Sequence, residues 1–259
     1  MIYKDFFKAR LKSSIIYTLI IIVLSLSWMG LYNSFNESSI PIYRFLEEID
    51  PRKLHALDID LNTLFEPLHF YGFFLTFGII IYSLFAVNLA IQTILEHSDK
   101  ERLMLVKPIK RTEYLKKRIY ISMGILLLSH VLIFISLFIF LLFFQVDNLF
   151  WMLFLIQAGL FLSQVAIYSL VLMITTFIPD FKLINILGVL LVMFFVVFEI
   201  IYRVTDLKWL TYFNPLCYFD TSFTLEHHRL SFDYLAAIII LCFFSLTFTF
   251  NEYDSKEVA

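Results

Sequence analysis

Six long apolar runs, each almost free of Asp, Glu, Lys and Arg, constrain this chain more than any other feature. A backbone crossing hydrocarbon has to satisfy its own N–H and C=O groups, and a helix does so within one segment. Runs of about 18 or more apolar residues therefore read as bilayer-spanning helices. They fall at about 15–31, 69–95, 119–144, 151–178, 183–202 and 234–250. A membrane barrel would instead need apolar–polar alternation over about ten residues per strand, and that pattern is absent. Composition agrees, with 60% hydrophobic residues, 31 Phe and only 16% charged residues, where a soluble domain carries roughly 25% charged. The expected fold is an all-α integral membrane protein of six transmembrane helices, one transmembrane domain over 1–259. The links QVDNLF and PDFK are so short that spans 3 and 4, and spans 4 and 5, should form antiparallel hairpins.

Charge placement gives this bundle an inside. Fourteen Lys and Arg flank one side, eight of them between Glu96 and Arg118, and six flank the other. Lys and Arg concentrate in cytoplasmic loops, so both termini and the 96–118 loop are expected in the cytoplasm. Trp28, Trp151 and Trp209 fall near outer span ends, where interfacial anchors belong. In the first twelve residues, Ile2, Phe6, Ala9 and Leu11 can share a helical face apart from Lys4, Lys8, Arg10 and Lys12. That pattern fits an N-terminal interfacial helix on the inner leaflet, or a basic flank that only sets topology. The apolar run behind it has no small-x-small cleavage site and is expected to stay as an anchor. Cys217 and Cys242 form no CxxC pair, and Cys242 sits in an apolar run as a small hydrophobe.

The densest polar stretch is Glu96 to Arg118. It opens with Glu96, Asp99, Lys100, Glu101 and Arg102, passes through Leu103-Met104-Leu105-Val106, and reaches Lys107-Pro108. Pro108 disfavours helix at Lys107, and Thr112-Glu113 reads as the start of a second helix leading into span 3. A short amphipathic helix between two cytoplasmic membrane ends suits docking to a soluble partner. The plainer alternative is a charged loop that enforces topology.

This segment resembles the cytoplasmic loop of type-2 ATP-binding-cassette (ABC) permeases. There the second span ends at an acid, followed by a leucine-rich short helix and a Pro-Ile-x-Arg turn. The matching residues are Glu96, Leu103 to Val106, and Pro108-Ile109-Lys110-Arg111, with Lys100-Glu101 standing where the family often has Gly-Thr. The resemblance implies a cytoplasmic coupling helix that contacts a separate P-loop ATPase subunit, present in two copies. ATPase coupling would then fall to Glu96, Lys100, Glu101, Arg102, Leu103, Leu105, Pro108 and Arg111. A second permease copy, or a homologous permease, would complete a bacterial exporter in the cell membrane. A second match is Trp209 to Asp220, WLTYFNPLCYFD, where Pro215, Tyr218, Phe219 and Asp220 follow a family pattern that folds into short helices. An aromatic interfacial loop would use the same residues.

None of the six glycines precedes a lysine, so GxxxxGK[ST] cannot occur. ATP and Mg are therefore expected on the partner ATPase, with no cofactor or metal in this chain, no catalytic site and no nucleic-acid partner. Two rivals remain. Glu47-Glu48-Ile49-Asp50-Pro51-Arg52 and Phe65 to His69 resemble the first two signatures of CAAX-type intramembrane proteases. Pro51, however, breaks a helix joining Glu48 to Arg52, and His130 is followed by Phe134 where that motif needs Asn or Asp. The third reading is a non-catalytic membrane immunity or scaffold protein.

Inside the spans the polar residues are few: Asn88, Gln92, His130, Gln157 and Gln164. Gln157 and Gln164 share a helical face, and Asn88 and Gln92 nearly do. Membrane-embedded charge marks ion pathways, and Glu199, near an outer span end, comes closest. The four amides either line a path for a hydrophobic or amphipathic substrate or bond neighbouring helices.

Overall fold

The computed structural model describes residues 2–50, 54, 63–94, 111–178, 180–205 and 207–255, and every regular element among them is helical. The helices are α1 (Ile2–Gly30), α2 (Tyr32–Glu37), α3 (Ser39–Glu47), α4 (Pro67–Ile94), α5 (Arg111–Leu141), α6 (Leu149–Phe177), α7 (Phe181–Thr205), α8 (Thr221–His227) and α9 (Phe232–Ser255). Six of them (α1, α4, α5, α6, α7 and α9) are long and apolar enough to cross a membrane, as a multi-pass membrane protein requires.

The spans sit where hydropathy puts them, but the helices run further. α5 starts at Arg111, eight residues before the apolar run, and α1 starts at Ile2. Hydropathy detects only the length embedded in hydrocarbon, whereas a helix continues into the interface as long as its charged side chains find partners or snorkel. Residues 2–12 are the opening turns of α1, continuous with its apolar run, and Phe6 and Arg10 are buried in the bundle. Arg10 turns inward because a carbonyl of α4 waits there.

α4 and α6 form the centre, with 61% of each apolar window buried against 22% for α7 and 17% for α9. They pack on each other; α1 packs on α4 and α5, α5 also on α6, α7 on α4, and α9 on α6. The peripheral helices turn apolar stripes outward, such as Ile186, Val189, Leu190, Met193, Phe194 and Val197 on α7. In lipid such a stripe needs no protein cover. Two close approaches tighten the centre. A Cβ on Gly188 would lie 2.5 Å from Val87, and one on Gly159 would overlap the edge of the Phe219 ring.

Between α7 and α9 the chain makes two 3-10 helices, Lys208–Phe213 and Pro215–Tyr218, before α8. Asn214 fastens them: its Oδ1 accepts from the Leu216 N–H at 3.1 Å, and its Nδ2 donates to the Phe195 carbonyl of α7 at 2.8 Å. Pro215 opens the second 3-10 helix, where its missing N–H costs nothing. The Tyr218 hydroxyl donates to the Tyr212 carbonyl at 2.6 Å, and Asp220 caps α8 through the Phe223 N–H at 3.0 Å.

Candidate functional site

The interior of α1, α4, α5 and α6 carries a ladder of polar side chains that runs from the Arg10–Arg118 end into the middle of the bundle. Its lowest rung joins three helices. Arg10 of α1 and Arg118 of α5 both donate through Nη2 to the Gln92 carbonyl of α4, at 2.8 and 3.0 Å. Both guanidinium groups also lie over the Phe6 ring, at 4.8 and 4.6 Å from its centroid, and that of Arg118 lies 5.4 Å from the Tyr114 ring centroid. Arg10 is 6% exposed and Arg118 only 1%. Gln92 lies two residues before the last described residue of α4, and its carbonyl is a strong acceptor on which both cations converge. Ring faces supply further electron density for cations.

Next come hydroxyls. Thr93 and Ser122 approach to 2.8 Å, and the Tyr168 hydroxyl donates to Thr93 Oγ1 at 3.0 Å. Thr18 donates to Ser129 at 2.9 Å. These contacts bind α4, α5, α6 and α1 in the region where Ser and Thr let helices approach closely.

The uppermost rung centres on His130. Its Nε2 lies 2.9 Å from Gln164 Oε1 and its Nδ1 lies 3.0 Å from Gln157 Oε1. Gln164 Nε2 donates to the Tyr82 carbonyl at 2.8 Å, and Gln157 Nε2 reaches the Tyr71 hydroxyl at 3.4 Å. The Tyr82 ring stacks on the imidazole, with centroids 5.7 Å apart. The carbonyl can only accept, so it fixes the Gln164 amide, and His130 Nε2 must donate to Gln164 Oε1. With the Gln157 amide as placed, Nδ1 would also have to donate, which makes an imidazolium. Turning that amide by 180° presents its nitrogen to Nδ1 and its oxygen to the Tyr71 O–H, and every contact is satisfied by a neutral ring. Buried charge without a counter-ion costs several kcal/mol in an apolar medium, so the neutral Nε2–H tautomer is assigned.

The four amides singled out in the sequence thus fall into two groups. Gln157 and Gln164 converge on His130. Asn88 and Gln92 bond each other at 2.8 Å, with Asn88 Nδ2 3.4 Å from Ser13 Oγ. Of the coupling residues, Arg111 opens α5, while Glu96, Lys100, Glu101, Arg102, Leu103, Leu105 and Pro108 lie outside the described residues. Sequence reasoning missed Arg10, Arg118, Thr93, Ser122 and Tyr168 as interior groups. Part of the signal was present: Arg118, Ser122 and Ser129 recur at steps of four and seven, which is one helix face.

Among the described residues, no three of His, Cys, Asp or Glu converge as metal ligands. Glu47 and Glu48 are exposed at the end of α3, and His130 is held by glutamines rather than acids. The ladder links four helices through buried side-chain hydrogen bonds, which is chemistry for holding helices in register. No family model, curated protein or solved structure matches the chain.

Proposed function

We propose that this chain is the membrane subunit of an ATP-driven exporter of the ABC type, moving a hydrophobic or amphipathic substrate such as a peptide, drug or lipid. Energy comes from a separate P-loop ATPase that binds the loop between α4 and α5, with ATP and Mg on that partner. A second copy of this chain, or a similar permease, completes the path in the cell membrane, with both termini on the cytoplasmic side.

The observation that carries this reading is the position of the Arg10–Gln92–Arg118 rung. The segment resembling a coupling loop, which lies outside the described residues, joins Ile94 of α4 to Arg111 of α5. Both ends of it are tied to α1 by buried arginines, so a push on the loop acts on three spans together. The hydroxyl and His130 rungs extend that rigid connection upward. The fourteen-to-six charge asymmetry puts the loop where a soluble ATPase works. The protease alternative draws less support, because its acids are exposed and its histidines do not meet them.

The deciding experiment is affinity purification of the tagged chain from its native membrane, with identification of partners by mass spectrometry. A stoichiometric P-loop ATPase is expected, and Glu101→Lys or Leu103→Asp should lower its recovery at least several-fold while the permease stays folded. Full recovery of ATPase and of export in both variants would remove the coupling assignment.

A further inference from the structure

α3 buries none of its nine residues, yet it has two distinct sides. Ser39, Ile40, Tyr43, Arg44 and Glu47 line a cleft against Phe65. Pro41, Ile42 and Phe45 point the other way by helical geometry, and Phe45 is 64% exposed. This apolar side continues the exposed stripe formed by Ile16, Ile20 and Leu24 of α1 and by Leu31 just past its end. Steps of eleven and fourteen residues from Leu31, close to three and four turns, reach Ile42 and Phe45. Only Leu31 and Ser38 interrupt the helices on the way, and each is bonded to the helix before it, Leu31 N–H to Trp28 C=O at 3.0 Å and Ser38 N–H to Ser34 C=O at 3.2 Å, and to the helix after it, Phe35 N–H to Leu31 C=O at 2.9 Å and Ile42 N–H to Ser38 C=O at 3.2 Å.

The height of α3 follows from the rung at the opposite end. Arg10 and Gln92 are hydrogen-bonded and so lie level. From them α1 and α2 run to Glu37, and α4 runs back to Glu66, each roughly 40 Å at 1.5 Å per residue. Tyr32 donating to the Phe65 carbonyl at 2.7 Å, and Phe35 stacked on Phe65, keep those outer ends together. A bilayer with its headgroups is about 40–45 Å thick, so α3 begins at the headgroup level. Ser38, at φ −92° and ψ 15°, departs from helical values and supplies a bend there.

We propose that α3 lies in the headgroup region of the leaflet opposite the Arg10–Arg118 rung, with Ile42 and Phe45 in contact with lipid and Arg44 and Glu47 turned to water. A phospholipid surface is the occupant because the lipid-facing stripe of α1 runs into this side without a change of character. Aromatic and aliphatic side chains backed by a charged face are what an interfacial helix needs. The proposal rests on the six-span topology and not on the exporter reading.

The test places single cysteines at Ile42, Arg44, Phe45 and Glu47 in a Cys217→Ala, Cys242→Ala background. Each is spin-labelled and measured in phosphatidylcholine–phosphatidylglycerol vesicles for collision with oxygen and with a water-soluble nickel chelate. Positions 42 and 45 should favour oxygen several-fold over positions 44 and 47. Equal chelate access at all four would mean that α3 stands in water, and protection from both reagents at 42 and 45 would mean a protein surface, a second copy included; either overturns the proposal. Should the cysteine-free background fail to fold, Phe45→Trp in the otherwise native chain distinguishes the same alternatives. Its added emission should be quenched by lipids brominated near the glycerol backbone, and quenching by aqueous acrylamide instead would overturn the assignment.

Discussion

His130 and Gln164, 34 residues apart in sequence, meet through Nε2 and Oε1 at 2.9 Å in the interior of the bundle. Because the Tyr82 carbonyl fixes the orientation of the amide, this contact also fixes which ring nitrogen carries the proton. Gln164→Leu keeps the volume roughly constant and leaves the His130 N–H without its acceptor. The expected cost is about 1–3 kcal/mol for an unsatisfied buried donor, tending to the low end because hydrogen bonds between membrane helices average about 0.6 kcal/mol. A His130→Leu, Gln164→Leu pair should cost clearly less than the two single changes together. Reversible unfolding in mixed micelles measures all three, and strict additivity would show that the contact carries no coupling.

The arginine rung predicts a local effect. Arg118→Ala removes one of the donors to the Gln92 carbonyl and one of the cations over Phe6. Arg10→Lys keeps its charge but loses the flat guanidinium that stacks on the ring. Amide hydrogen exchange over the first three turns of α1 should speed up several-fold in Arg118→Ala and less in Arg10→Lys, with α9 unaffected. Unchanged exchange in α1 would mean that those turns are held by something other than this rung.

Why these pairings escaped the sequence is a matter of range. The six spans were legible because a span must be predominantly apolar over about 20 residues, so the information is local and redundant. The shared face of Gln157 and Gln164 was legible too, since seven residues make about two turns. That both amides close on His130 of another helix depends on how α5 and α6 pack, which no local pattern encodes. Arg118 was misplaced for a related reason. Charge alone assigns it to a loop, and its partners, the Gln92 carbonyl 26 residues away and the Phe6 ring of α1, meet it only in the packed bundle. The basic start of α1 likewise carries an amphipathic pattern, and the bond from Arg10 to the Gln92 carbonyl, 82 residues away, lies beyond any local pattern.

Cys217 gives a chemical prediction. Burial pushes its thiol above the ordinary range, and the Glu199 carboxylate adds to the shift in the same direction. At pH 8 its thiolate fraction is therefore below that of a free cysteine, and the thiolate is the reacting form. N-ethylmaleimide should label Cys217 in the folded protein far more slowly than a cysteine placed at Phe213, which is 70% exposed in the same segment. Equal rates would show that the 3-10 segment opens on the labelling timescale.

The wedge of Phe219 against α6 offers the sharpest test of how the outer segment is seated. Gly159 has no side chain where the Phe219 ring lies, and an added Cβ would overlap that ring. Phe219 is 7% exposed, with the rest of its surface in the core, so the ring cannot swing into open space without abandoning its packing. Gly159→Ala should therefore destabilise by about 1–3 kcal/mol, the usual range for overpacking, even though alanine is the better helix former by about 1 kcal/mol. Phe219→Ala alone should cost about 3–5 kcal/mol through the cavity it leaves. In the double variant the overlap is gone and the alanine contributes its helix propensity, so adding Gly159→Ala to Phe219→Ala should be neutral or stabilising. A thermodynamic cycle on the four proteins reads that reversal of sign directly. If Gly159→Ala is as harmful without the ring as with it, the close approach is not what selects glycine at this position.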